Sequence, residues 1–156
     1  MKPIVYIDMD NVIVDFKSGI AQLDEKTLEA YEGNYDEVPG IFGLMQPMPG
    51  AINAVNILVE YYDVYILSTA PWLNPGAWTD KVKWIQKHFG KDKDSVLYKC
   101  LIISHHKNLN RGNFLIDDRT KNGASEFEGT HIHFGQDHFP DWNSVLNYFL
   151  QTLIYS

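Results

Sequence analysis

Four short runs of apolar residues without polar alternation constrain this chain more than any other feature: IVYI at 4–7, VYIL at 64–67, LII at 101–103 and FLI at 114–116. A strand with one wet face alternates apolar and polar residues, so these runs predict strands covered on both faces. A fifth run, HIHF at 131–134, reads as a further strand. Helical patterns fill the gaps. After Pro49-Gly50, residues Ile52, Val55, Leu58, Val59 and Tyr62 fall on one stripe. Asn74-Pro75 supplies a cap and a first-turn proline for a helix with Trp78, Val82, Ile85 and Phe89 in register, stopped by Gly90. A last helix begins near Asp141 and turns Trp142, Val145, Phe149 and Leu153 inward. Strands alternating with helices predict an α/β fold, a Rossmann-like three-layer parallel sheet with right-handed crossovers.

Residues 17–48 break that alternation, because DEKTLEAYEGNYDEVPG is acidic, helix-prone at first and then turn-rich. They read as a small, mainly helical insertion after the first strand. The 156 residues suffice for one buried core, so a single domain is expected over 1–156.

Composition excludes several classes of function. Thirteen basic residues against 20 acidic ones give a formal charge of −7 with no basic patch, which disfavours a nucleic-acid polymer as partner. The single cysteine, Cys100, allows no intramolecular disulfide and no Cys-rich zinc site, which suits a reducing compartment. The opening MKPIVYIDMD is too short in its apolar part for a signal peptide, and Glu60 and Asp63 interrupt AINAVNILVEYYDVYIL as a membrane span. The expectation is a soluble, cytoplasmic protein without a membrane partner, and a homodimer stays open.

In open α/β sheets ligands bind beyond the carboxyl ends of the strands. Those ends carry Asp8 and Asp10, then Ser68 and Thr69, then Ser104, His105, His106 and Lys107, and finally Asp117 and Asp118. Carboxylates converging from two strands repel unless a cation lies between them, and oxygen-only ligation points to Mg²⁺. Thr69 could donate to a phosphate there, and a lysine could offset its charge. Asp8 is then placed to attack phosphorus, with Asp10 as acid for the leaving group and base for the hydrolytic water.

The pattern DMDNVIVDF resembles the first motif of the haloacid dehalogenase-like phosphatase superfamily. Within it, PMPGA at 47–51, STAP at 68–71, DKVKWIQKHFG at 80–90, NFLIDDR at 113–119 and the late Asp141-Trp142 resemble the 5'(3')-deoxyribonucleotidases in order. The resemblance implies a haloacid dehalogenase-like core with residues 17–48 as its cap, and hydrolysis of nucleoside monophosphates. It implies Asp8 as nucleophile, Asp10 as acid/base whose carbonyl also binds Mg²⁺, Thr69 as phosphate-binding hydroxyl and Lys81 as the charge-balancing lysine. Asp118 matches the direct metal ligand, with Asp117 beside it. Lys107 matches a second basic position near the substrate, and Phe16 an aromatic on the base side. Two departures stand out. Ala70 replaces a serine of the animal enzymes at the phosphate side, and the shorter insertion lacks their extra aromatics, leaving Phe42 and Trp72 to rebuild the base pocket.

Two other readings stay open at this level: a phosphatase of the same mechanism for a sugar phosphate or another small phosphomonoester, and a receiver-like switch that keeps its phosphate. The order of the acids, alternating early and adjacent late, favours hydrolysis. His131, His133 and His138 suggest a chelating face, but a partly exposed edge strand explains them equally and no further ligand is apparent. Asp15 and Asn122 are expected to fix loops by hydrogen bonds to the backbone.

Overall fold

The computed structural model describes residues 1–156. In chain order it contains β1 (Ile4–Ile7), β2 (Val14–Asp15), α1 (Phe16–Ile20), α2 (Glu25–Ala30), β3 (Gln46–Pro47) and α3 (Ala51–Tyr61). There follow β4 (Asp63–Ser68), α4 (Gly76–Phe89), β5 (Leu101–Ile103), β6 (Phe114–Asp117), β7 (Thr130–His133) and α5 (Trp142–Tyr155). Five strands form one parallel sheet in the order β5-β4-β1-β6-β7. From β1 the chain builds outward through β4 and β5, then returns to the other side of β1 for β6 and β7. The strand order therefore reverses at β1, the point where such sheets open a crevice.

Alternation along each strand separates two unequal faces. Val5, Ile7, Val64, Ile66 and Ile116 join one large buried cluster with Val55 and Leu58 of α3, Trp84 and Ile85 of α4, and Trp142, Val145 and Phe149 of α5. Tyr6, Leu67 and Leu115 face the opposite way into a small cluster closed by Ala124 and Phe127. The three long helices thus feed the large cluster, while a 3-10 turn at Ala124–Glu126 and neighbouring loops serve the small one. No helix is long and apolar enough to cross a membrane.

The expected α4 stripe is wrong by about one residue. Ala77, Lys81, Trp84 and Ile85 are the buried positions, while Val82 is 39% exposed. Hydrophobic periodicity discounts a lysine, but this one is neutralised by a partner and so completes the inward face. Asn74 does not cap α4 with its side chain. Its Nδ2 instead donates to the carbonyls of Asp36 and Val38 at 3.0 and 3.2 Å, tying the helix start to the 17–48 segment.

That segment is mainly helical as expected, with α1, α2 and 3-10 turns at Tyr35–Glu37 and Ile41–Leu44. Its base is closed by an antiparallel β2–β3 pair too short to show in the sequence pattern. Trp84 Nε1 donates to the Met45 carbonyl at 2.9 Å, and a Cβ on Gly19 would lie 2.8 Å from Met45 Cγ. Close packing therefore seats α1 against the 41–44 turn.

Candidate active site

β1 drives Asp8 to the sheet edge, where its amide still donates to the Ile116 carbonyl at 2.9 Å and its side chain is buried. The chain then folds back within four residues. The amides of Val12, Ile13 and Val14 all donate to the Met9 carbonyl, and Asn11 takes a left-handed φ of 63°, a conformation that asparagine tolerates. This tight loop pivots on buried Met9 and brings Asp10 back over the edge.

Lys107 is the lysine that meets Asp8. Its Nζ donates to Asp8 Oδ1 at 2.8 Å and to Asp117 Oδ2 at 2.6 Å, and it is 3% exposed. A 3-10 turn at Lys107–Leu109 carries it, anchored by its own amide to the Asn122 carbonyl at 2.7 Å. Burial opposes its charge, but the Asp8 and Asp117 carboxylates outweigh burial and hold the ammonium above the usual lysine range. Lys81, by contrast, reaches Asp10: its Nζ lies 3.0 Å from Asp10 Oδ2 and 2.9 Å from Ser68 Oγ, beneath the Phe42 ring at 4.3 Å. The lysine expected to balance charge at the site thus pairs with Asp10, and the one expected near the substrate pairs with Asp8.

Asp8, Asp117 and Asp118 place carboxylate oxygens within 4.8 Å of one another. Burial first, and the neighbouring Asp8 charge next, raise Asp117 and push Asp118 up to about 7. Burial likewise raises Asp10, against the pull of Lys81. Four carboxylates against two ammoniums and the Arg119 guanidinium leave excess negative charge in a largely buried site, which a divalent cation would relieve. The donor set fits one. Asp117 spends its oxygens on Lys107 and on the Arg119 amide at 3.0 Å, whereas Oδ1 of Asp118 and Oδ1 of Asp10 are buried without a partner.

At Asp10 and Arg119 the site opens into a cleft of about 690 Å³, which Asn11, Phe16, Phe42, Thr69, Ala70, Trp72 and His105 also line, among others. All three aromatics expected on the base side line it, but in different states. Phe42 is 2% exposed, its ring spent on Lys81 and on an edge-to-face contact with Phe16 at 6.0 Å. Trp72 is 78% exposed and meets His105 edge-on at 6.0 Å. Thr69 does not point a free proton into the cleft: its Oγ1 donates to the Ser104 carbonyl at 2.7 Å.

Sequence reasoning missed Gly33, Asn34, Tyr35 and Asp36 as lining residues. Nothing in their spacing marks them, because the insertion brings them in by its fold alone. His105, expected at the ligand edge but given no role there, also lines the cleft, its Nε2 2.8 Å from the Ala70 carbonyl. Asp15 and Asn122 do fix loops, but through their carbonyls, which accept from the Ser18 hydroxyl and the Lys107 amide. His138 is exposed and apart from the half-buried His131 and His133.

Comparison with known proteins gives the family and the fold. Residues 31–147 match the family described as 5' nucleotidase, deoxy (pyrimidine), cytosolic type C protein. A protein of Vibrio phage KVP40 named "Putative 5'(3')-deoxyribonucleotidase" is 62% identical over 94% of this chain and 84% of its own length. Among solved structures, YfnB from Bacillus subtilis, bound to magnesium, superposes with a TM-score of 0.59 at 14% identity over 90% of each chain. A haloacid dehalogenase-like family hydrolase from Streptococcus pneumoniae gives 0.56 at 17% identity, covering 99% of this chain and 98% of that one. The chain therefore belongs to the 5' nucleotidase, deoxy (pyrimidine), cytosolic type C family, phosphomonoester hydrolases on a haloacid dehalogenase-like fold.

Proposed function

We propose that this chain is a Mg²⁺-dependent 5'(3')-deoxyribonucleotidase that hydrolyses nucleoside monophosphates through an aspartyl-phosphate on Asp8. The observation that carries the reading is the cluster of Asp8, Asp117 and Asp118 at the switch point of the sheet, together with a cleft lined by Asp10 and by aromatics. Asp8 and Asp118, with the Asp10 carbonyl and Asp117 nearby, would hold Mg²⁺, which when bound offsets phosphate charge and orients the ester.

Asp8 attacks phosphorus as the bond to the nucleoside oxygen breaks, and Asp10 gives that oxygen a proton. Asp10, now ionised, takes a proton from water as the water oxygen attacks phosphorus. The bond to Asp8 breaks and inorganic phosphate leaves. Lys107 restrains Asp8 through one oxygen, and Lys81 restrains Asp10 in the same way. The Thr69 hydroxyl must turn from the Ser104 carbonyl to donate to phosphate. Residues 17–48 act as the cap and close over the nucleoside with Phe16, Tyr35 and the buried Phe42, while Trp72 covers the outer side.

The test is phosphate release from dUMP, dTMP, AMP and simple sugar phosphates, with Mg²⁺ and with chelator, against an Asp8→Ala blank. Mg²⁺-dependent turnover led by deoxyribonucleotides is expected. Turnover led by sugar phosphates would discard the substrate, and wild-type turnover by Asp8→Ala would discard the mechanism.

A further inference from the structure

Two histidines of the Thr-His-Ile-His-Phe run have no part in the chemistry above. They lie on β7, the edge strand beside β6, and alternation puts both rings on one face while Ile132 between them is buried on the other. The rings stack at 5.2 Å with 21° between planes. His131 Nε2 lies 3.2 Å from the Asp117 carbonyl and His133 Nε2 lies 2.9 Å from the Asp118 carbonyl. A carbonyl only accepts, so both rings carry a proton on Nε2 and donate.

These two carbonyls belong to the peptide planes on either side of the Asp118 Cα. Together the planes define its φ and ψ, and hence the direction in which its carboxylate leaves the chain. β6 ends at Asp117, so the sheet ladder does not reach the second plane. That plane is held instead by His133 at its carbonyl and by Asp117 Oδ1 at the Arg119 amide, 3.0 Å away. The Asp117 carbonyl also accepts the Phe134 amide at 3.0 Å, so His131 reinforces a plane already anchored while His133 holds one that the ladder leaves free.

We infer that His131 and His133 are positioning residues for the cation site: by clamping both peptide planes around Asp118, with His133 the dominant partner, they aim its unpartnered buried oxygen at the carboxylates of Asp8 and Asp117. This rests on Asp118 being a ligand of a divalent cation. Donors in the outer shell of a metal site are worth about 10- to 100-fold in metal affinity, and a donor acting through the backbone belongs at the lower end.

Calorimetric titration of the 156-residue chain with Mg²⁺ alone separates the possibilities. His133→Phe keeps the stack and removes the donor, whereas His133→Gln keeps a donor. The expected result is affinity for Mg²⁺ about 10-fold weaker in His133→Phe, largely restored in His133→Gln, with a smaller loss in His131→Phe. KM for nucleotide at saturating Mg²⁺ and the melting temperature in chelator should stay at wild-type values. Unchanged affinity in His133→Phe overturns the inference, as does an equal loss in both His133 variants with lowered melting temperature, which would mark packing. Wild-type protein that binds Mg²⁺ no better than Asp118→Asn overturns instead the cation reading on which the inference stands.

Discussion

At the acidic floor of the site, Lys107 joins Asp8, the residue after β1, to Asp117 at the end of β6 at 2.8 and 2.6 Å, just beyond strands paired residue for residue. The wall is made otherwise. Residues 33–36 and Phe42 come from the segment between β2 and β3, and Trp72 from the loop after β4, with Asn74 and Trp84 supplying its hydrogen-bonded ties to α4 and the loop before it. The floor is determined several times over by the sheet, so its atoms have little freedom. The wall is seated by Ile41, Phe42 and Met45 in the main core, and its outer residues hang on a few bonds to loop carbonyls. Chemistry that tolerates no displacement sits on the first, and recognition that must differ between substrates sits on the second.

Four substitutions or conditions would break or sharpen that contrast. The largest effect belongs to the nucleophile: Asp8→Asn should lower kcat by on the order of 10⁵-fold, read from single-turnover phosphate release, because it removes the attacking group itself. Asp10→Asn should lower kcat by about 10²- to 10⁴-fold, read from steady-state phosphate release, because it removes both the acid for the leaving oxygen and the base for the water. Lys107→Met tests the floor as structure. Leaving Asp8 and Asp117 buried without their ammonium should cost about 3–5 kcal/mol in denaturant unfolding, and added Mg²⁺ should return part of it by binding the folded state. Trp72→Ala tests the wall and should do least. Its stability should stay within about 0.5 kcal/mol of wild type, since the side chain is 78% exposed, and any change should fall on KM for nucleotides. A loss of folding stability in Trp72→Ala, or a pure KM effect in Lys107→Met, would erase the distinction between floor and wall.

A pH series sharpens it further. Asp118 is pushed up to about 7 by burial and by Asp8, and Asp10 and Asp117 are raised as well, so these three carboxyls hold more protons in the folded chain than in the unfolded one between about pH 4 and 7, outnumbering the opposite shift of His88. Stability in chelator should therefore fall as pH rises through that window. Mg²⁺ favours the ionised carboxylates, so saturating Mg²⁺ should flatten or reverse the slope in melting temperature. Lys107 contributes nothing to the slope there, because a raised lysine loses its contribution only in the alkaline range.

Much of this was legible in the chain. Apolar runs without alternation marked β1, β4, β5 and β6 almost to the residue, and β7 came one residue early, at Thr130–His133. The parallel sheet was implied by the alternation of strands and helices, and the positions of Asp8, Asp10, Asp117 and Asp118 at strand ends followed from it, whereas the strand order β5-β4-β1-β6-β7 emerged only from the fold. The α4 face was misread for a physical reason: a lysine neutralised at 3.0 Å packs inward, and periodicity counts it as surface. The wall residues Asn34, Tyr35 and Asp36 were invisible because residues in a polar turn look alike whether they face solvent or a substrate.

By itself, the sequence determined which residues reach the carboxyl edge of the sheet, because strand spacing and hydrophobic burial are local rules that act within a few residues. Tertiary structure decided the pairing of Lys107 with Asp8 and of Lys81 with Asp10, the committed hydroxyl of Thr69 and the clamp of His131 and His133 on the acidic pair. Lys107 and Asp8 are 99 residues apart, and Lys81 and Asp10 are 71. Contacts at such separation depend on where entire strands and helices come to rest, and an ion pair forms between whichever charges the packing has already brought within reach.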